Sequence, residues 1–249
     1  MIFKDNIFCD KKFLITGASS GIGADIALKL NKLGAQVIAI GKNRDKLAAQ
    51  KEKSSSPEKF IILSKDLSKY KKLDSWVLEL SKKYNGFNGA VLSAGISKTL
   101  SIKMPNYIEI GYQIFNINYF GNLQVLKGLL DNRSKTKENS SFIWISSKAS
   151  REPLKGLSLY GASKAAIDAT VKALSQEIYP RYRINSILPG LIKTPMIDHI
   201  MHSQSINRLY SNLKHMGSVE DVSNLTCFLL SENAKHINGQ NIILDNKIT

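Results

Sequence analysis

Phe13-Leu14-Ile15-Thr16-Gly17-Ala18-Ser19-Ser20-Gly21-Ile22-Gly23 runs from a short apolar segment straight into a glycine-rich turn. The segment reads as a buried strand, and beyond the turn Ile26, Ala27, Leu30 and Leu33 recur at helical spacing. Strand, turn and helix start together make a site for a dinucleotide pyrophosphate. Glycines let the backbone turn tightly and approach the phosphates, whose charge is stabilised at the helix N-terminus. The spacing is G-x-x-x-G-x-G rather than the usual G-x-G-x-x-G. Gly17, Ser19, Ser20, Gly21, Ile22 and Gly23 are therefore candidate nucleotide-binding residues.

Further along, apolar runs alternate with amphipathic stretches. Strands are expected at Lys12–Thr16, Gln36–Ile40, Phe60–Leu63, Gly89–Leu92, Phe142–Ser146, Arg183–Leu188 and Asn241–Leu244. Helices are expected after the first six, the longest at Ile108–Leu130 and Leu159–Tyr179. This alternation predicts an α/β fold: a single doubly wound Rossmann domain over residues 1–249, its central parallel sheet of about seven strands covered by helices on both faces. Lys148–Ser158 and Pro195–Met216 break the alternation. Ligands bind beyond the carboxyl ends of strands in such sheets, so both segments are expected to border a substrate pocket, residues 195–216 as a loop or lid.

Composition narrows the function classes. No stretch of the 249 residues approaches the ~18 consecutive apolar residues of a membrane span. Met1-Ile2-Phe3-Lys4-Asp5 lacks the apolar core of a secretory signal, and the reading is cytoplasmic. Cys9 and Cys227 make neither a disulfide framework nor a metal-binding pair, so no metal is expected. The net charge of +15 comes from lysines spread along the chain among Asp and Glu. Without interleaved aromatics this is a solvated surface, not a nucleic-acid interface, although it favours anionic partners.

The catalytic candidates lie on the other side of the chain. Tyr160 and Lys164 stand four apart in Tyr160-Gly-Ala-Ser-Lys164, on one helix face. A phenol titrates near pH ~10; a neighbouring ammonium favours the phenolate and brings the group toward useful acid–base chemistry. Ser147 lies upstream, beside Ser146. Period-two alternation in a strand lets only one of the two serines face the cleft. At the end of the second strand, Gly41-Lys42-Asn43-Arg44 carries no acid to accept ribose hydroxyls. Lys42 and Arg44 suit a 2′-phosphate instead, so NADP(H) is favoured over NAD(H).

Thr16-Gly17-x-x-x-Gly21-Ile22-Gly23, Ser147 and Tyr160-x-x-x-Lys164 together resemble the signature of the short-chain dehydrogenase/reductase family, from about Lys11 to about Asp245. The family's serine-to-tyrosine separation selects Ser147 over Ser146. Asp66-Leu67 resembles the family's adenine-contacting aspartate segment, Ser93-Ala94-Gly95 its N-N-A-G turn, Asn118 its active-site asparagine, and Pro189-Gly190-Leu191-Ile192-Lys193-Thr194 the segment beside the nicotinamide. The resemblance adds Asp66, Leu67, Ala94, Gly95, Pro189, Gly190, Ile192 and Thr194 to the cofactor residues, together with Tyr160 and Lys164. It also implies that Asn118 holds a water leading from Lys164 to solvent.

The implied reaction interconverts a ketone and a secondary alcohol by hydride transfer, with a small-molecule substrate that is free or linked to coenzyme A or a carrier protein. The nearest likeness is to β-ketoacyl-carrier-protein reductases. The family also implies a homodimer or homotetramer. A dinucleotide sensor or scaffold without turnover is the alternative, against which the intact Asn118, Ser147, Tyr160 and Lys164 stand. Two departures bear on this resemblance. Leu92-Ser93 replaces the two asparagines, which should weaken the ties of the fourth strand, and Asp245-Asn246-Lys247 replaces D-G-G. Ser20 also stands where many NADP-dependent relatives carry Arg or Lys.

Overall fold

The computed structural model describes residues 3–196 and 216–245. Its seven strands are β1 (Lys12–Thr16), β2 (Gln36–Gly41), β3 (Phe60–Ser64), β4 (Gly89–Leu92), β5 (Ser140–Ile145), β6 (Tyr182–Pro189) and β7 (Asn241–Leu244). They form one parallel sheet in the order β3-β2-β1-β4-β5-β6-β7. The order reverses between β1 and β4, and a crevice opens there at the carboxyl ends of the strands.

Alternation along each strand sends side chains to two separate cores. Phe13, Ile15, Val37, Ala39, Val91, Ile143 and Ile187 pack against α1 (Gly21–Lys32) and α7 (Val219–Leu230). Their neighbours Leu14, Ile38, Ile40, Ala90, Leu92, Phe142 and Trp144 pack on the other face against α3 (Leu73–Lys83), α5 (Asn122–Leu130) and α6 (Ser158–Glu177). Both faces of the sheet are buried, which is why the strands read as nearly continuous apolar runs.

The long helix expected at 108–130 is three pieces: α4 (Tyr107–Phe115), a π-helical turn (Asn116–Gly121) and α5. The wider turn carries Asn118 inward, and Asn122 follows it at the start of α5, both fully buried; π turns of this kind recur at functional sites. α2 (Arg44–Lys53) starts at an Asn43 cap whose Oδ1 accepts from the Lys46 amide at 2.8 Å. Of the expected 195–216 loop, Pro195, Met196 and Met216 are described; residues 197–215 lie outside the described residues, as do Asn246 and Lys247.

Candidate active site

The crevice at the strand ends is a cleft with a cavity volume of ≈ 360 Å³, running from the glycine turn to Ser147 and Tyr160. Its floor is backbone. Gly17 sits at φ +68° and Gly21 at φ +57°, in the left-handed region that side chains disfavour. A Cβ on Gly17 would fall 2.8 Å from Ala94, and one on Gly23 would fall 2.5 Å from the Gly17 carbonyl oxygen. Ser20, extended at the N-cap of α1, makes no side-chain cap bond, and no acid occupies the first turn. Tight clearance, a helix N-terminus and no competing negative charge fit the phosphates of a dinucleotide.

The fourth strand is tied down despite the missing asparagines. Thr16 Oγ1 accepts from the amides of Ser93 (3.0 Å) and Ala94 (3.1 Å) and donates to Asn122 Oδ1 at 2.7 Å. Asn122 Nδ2 in turn donates to the carbonyls of Ala94, Ile117 and Asn118. The hydroxyl's one donor and two acceptor positions are all engaged. β1, β4 and the π turn are thereby joined across the switch point.

At the far end of the turn, Lys42, Lys65, Asp66 and Leu67 line the cleft. Lys42 Nζ lies 3.1 Å from Asp66 Oδ2, its side chain 79% exposed. The Asp66 carboxyl is held below its usual range first by the Ser68 hydroxyl and then by Lys42, against the opposing effect of burial. Arg44 does not join them. It opens α2 on the exposed side and is not among the residues lining the cleft. The Asn43 cap ends the strand exit at Lys42, and the chain turns away before Arg44.

The other end holds the candidate proton-transfer groups. Both Ser146 and Ser147 border the cleft, contrary to the expectation that only one would, but their hydroxyls divide: Ser146 Oγ is buried and donates to the Lys164 carbonyl at 3.1 Å, while Ser147 caps a short 3₁₀ turn over Lys148–Ser150. Ser147 Oγ accepts from the Ala149 amide at 3.2 Å, which leaves its hydrogen to donate. Tyr160 and Lys164 line the same cleft. Lys164 is buried; its Nζ lies 5.8 Å from the Tyr160 ring centroid and donates to the Ile145 carbonyl at 2.8 Å. Burial pushes the Lys164 ammonium down to about 8, and the charge of Asp168 pulls it back up.

Asn118 stands behind this group, with its side chain committed. Oδ1 accepts from the Ile96 amide at 2.8 Å, and Nδ2 donates to the Ile96 carbonyl and to Ser163 Oγ, each at 3.0 Å. A Cβ on Gly95 would lie 3.3 Å from Asn118 Oδ1 and 3.6 Å from Lys164 Nζ. Ala94, Gly95 and Lys164 line the cleft, and Asn118 lies behind them.

Pro189, Gly190, Ile192 and Thr194 form the opposite wall. Asp245 presses on Gly190 so closely that a Cβ there would collide with its carboxylate. The same carboxylate accepts from Lys148 Nζ at 2.5 Å, joining this wall to the turn after Ser147.

Lys65, Ile96, Ile117 and Ile145 also line the cleft and were not singled out in the sequence. Only Lys65 carried a usable sign, as a cation beside Asp66. Ile145 contributes a backbone carbonyl, to which the residue type is no guide. No cluster of His, Cys, Asp or Glu among the described residues could hold a metal ion.

The profile of the family described as Enoyl-(Acyl carrier protein) reductase matches residues 17–247. An L-xylulose reductase of Caenorhabditis elegans is 31% identical over 245 residues, covering 96% of this chain and 95% of its own. A 3-oxoacyl-acyl-carrier-protein reductase of Rickettsia bellii is 32% identical over 238 residues, covering 92% of each. Among solved structures, a short-chain dehydrogenase/reductase described as a glucose/ribitol dehydrogenase, from Brucella melitensis, superposes with a TM-score of 0.88 at 26% identity, covering 99% of both chains.

Proposed function

The chain belongs to the short-chain dehydrogenase/reductase family, oxidoreductases that act on CH–OH and C=O groups with a nicotinamide dinucleotide, and we propose that it is an NADP(H)-dependent ketone reductase using Ser147, Tyr160 and Lys164. The observation that carries this reading is the buried Lys164 beside the Tyr160 ring, on the same cleft as Ser147 and the glycine turn. Gly17, Ser19, Ser20, Gly21, Ile22 and Gly23 would hold the pyrophosphate, Asp66 and Leu67 the adenine, and Ala94, Gly95, Pro189, Gly190, Ile192 and Thr194 the nicotinamide side. When bound, the nicotinamide supplies or receives the hydride at the carbonyl carbon.

The side chains do the rest. Ser147 Oγ donates to the carbonyl oxygen and orients it, its own acceptor side occupied by Ala149. Tyr160 Oη gives its proton to the oxygen as negative charge develops there. Lys164 Nζ, fixed by the Ile145 carbonyl, favours the phenolate that remains. Asn118 holds the π turn against Ile96 and Ser163 and borders the route by which a water would return a proton to Lys164.

The preference for NADP(H) is supported by Lys42 at the end of β2, where no acid stands, with Lys65 lining the same end. A 2′-phosphate would draw Lys42 from Asp66, a small loss for so exposed an ion pair. Arg44 is a second cation for that phosphate only if its side chain swings from the start of α2. The names of the relatives supply two substrate classes, 3-oxoacyl thioesters and keto sugars, and the basic charge of the chain favours the anionic thioesters. Assembly as a homodimer or homotetramer is supported by exposed Ile108 and Tyr112 on α4 and by Phe120 beyond it. No helix among the described residues is long and apolar enough to cross a membrane.

The test is oxidation of NADPH and of NADH, followed optically, against 3-oxoacyl thioesters, keto sugars and simple ketones, with Tyr160→Phe run alongside. Turnover with NADPH that the variant loses is the expected result. Nucleotide binding without turnover on any class would overturn the reductase reading.

A further inference from the structure

Asp168 is the one buried carboxylate among the described residues, and Lys164 the one buried lysine. They stand one turn apart on α6, on a shared face. A buried carboxylate is costly unless something holds its charge, and Asp168 takes part in none of the ion pairs among the described residues. A hydroxyl holds it instead. Ser150 Oγ, from the 3₁₀ turn after Ser147, donates to Asp168 Oδ2 at 2.5 Å; Ser186 Oγ, on β6, lies 3.3 Å from Oδ1 but has its shorter bond, 2.8 Å, to Asn241 Oδ1 on β7. The main-chain carbonyl of Asp168 accepts from Asn241 Nδ2 on β7 at 3.2 Å.

We propose that Asp168, held by Ser150, is a positioning residue that keeps the Lys164 ammonium charged beside Tyr160, acting through the lysine without touching substrate or nucleotide. The inference rests on the reading of Tyr160 and Lys164 as the proton-transfer pair. Burial of Lys164 and the charge of Asp168 act on that ammonium in opposite directions. With the balance at about 8, the charged form is in only about tenfold excess at neutral pH. The loss of one negative neighbour then decides the state of the group.

Few other charges face this part of α6. On the helix itself Tyr160 precedes Lys164, while Lys172 and Glu177 are exposed. Lys148 on the 3₁₀ turn is committed to Asp245 and Glu152, and Arg151 beyond it is exposed. Arg183 on β6 donates to the carbonyls of Leu229, Ser231 and Ile237 at the opposite end of the sheet, beside Tyr182. On α4, Glu109 and Tyr112 are exposed and Tyr107 bonds to Ser158; Tyr119 on the π turn bonds to Thr170. Asp168 is thus the one anion buried with Lys164.

The test reads Lys164 directly. In protein labelled with carbon-13 at lysine Cε, the Lys164 resonance, identified by its loss in Lys164→Met, is titrated without nucleotide in wild type, Asp168→Asn and Asp168→Glu. Its midpoint is expected to fall by about one pH unit in Asp168→Asn, roughly tenfold in the ratio of charged to neutral form, and to return toward wild type in Asp168→Glu. The alkaline limb of kcat/KM for reduction should move down by the same amount. An unmoved midpoint in folded Asp168→Asn overturns the proposal. If that variant does not fold, the carboxyl-carbon resonance of Asp168 in the wild type must step at the Lys164 midpoint, and a flat trace overturns the proposal equally. Failure of the underlying reading looks different: Lys164→Met or Tyr160→Phe would keep wild-type turnover, removing the pair on which Asp168 acts.

Discussion

At the glycine turn the cleft is shaped by what the chain leaves out: Gly17 and Gly23 have no room for a Cβ against the backbone of Ala94 and Gly17, and Gly17 and Gly21 take a positive φ. At the Ser147–Lys164 end it is shaped by polar groups kept in the interior: Lys164, Asp168, Asn118, Ser146 and Ser186 are all buried. The first region works by clearance and backbone dipoles, the second by charges held away from water. Substitutions should therefore fail in different ways at the two ends, through shape and binding at one and through proton transfer at the other.

The largest expected effect sharpens that contrast. Tyr160→Phe should lower kcat by ~10³-fold, within the range for general acid–base groups, while nucleotide affinity by fluorescence titration stays within about twofold of wild type. A parallel loss of affinity would mean the two ends are not separable. Next is Lys164→Met, which should abolish turnover yet stabilise the fold. The folded-state value for Lys164 is lowered, so between about pH 8 and about pH 10 the unfolded chain binds more protons and stability rises with pH; below that window the full penalty, of order 3 kcal/mol, applies. Urea melts near pH 7 should show the variant more stable than wild type, and the advantage should shrink as pH rises through the window. An unchanged or lower midpoint near pH 7 would show that burial of the ammonium is not the strain described.

Gly17→Ala should cost roughly 2 kcal/mol of stability, from its positive φ and the contact with Ala94, and should weaken nucleotide binding at least tenfold. Normal binding in a calorimetric titration would break the idea that clearance makes this end. The smallest effect is Lys42→Asp, which should shift the NADPH-to-NADH ratio of kcat/KM about tenfold toward NADH, for one exposed charge reversed beside the phosphate site. An unchanged ratio would reject Lys42 as the discriminating group.

The same contrast explains what the sequence made legible. The glycine turn announces itself in residue types, and so do Ser147, Tyr160 and Lys164. The strands were readable because both sheet faces are buried and their residues run apolar. β5 was the exception: it begins at Ser140, two residues before the apolar run, because Ser140 and Ser141 bury their hydroxyls against the carbonyls of Phe87, Lys137 and Leu229. Polar residues satisfied by distant backbone look like loop in one dimension. The Thr16–Asn122 bond spans 106 residues and offsets the asparagines missing after β4, which no local pattern could reveal. Arg44 was read into the site by its charge, whereas it stands exposed at the start of α2 and outside the lining of the cleft. Asp168 passed unnoticed because nothing marks an aspartate in a helix as buried.

The contact of Asp245 with both Gly190 and Lys148 sets an order in time. A ribosome delivers the glycine turn and the Tyr160 helix well before residue 245. The wall that Gly190 and the Ser147 turn share is braced only once residue 245 has been made and β7 has added itself to β6. Until then a nascent chain could carry every group needed to bind phosphates and move a proton, with the nicotinamide end still unbraced. The bracing of that wall is in that sense a later event than the making of the residues proposed to carry the reaction, and it waits on the closing strand.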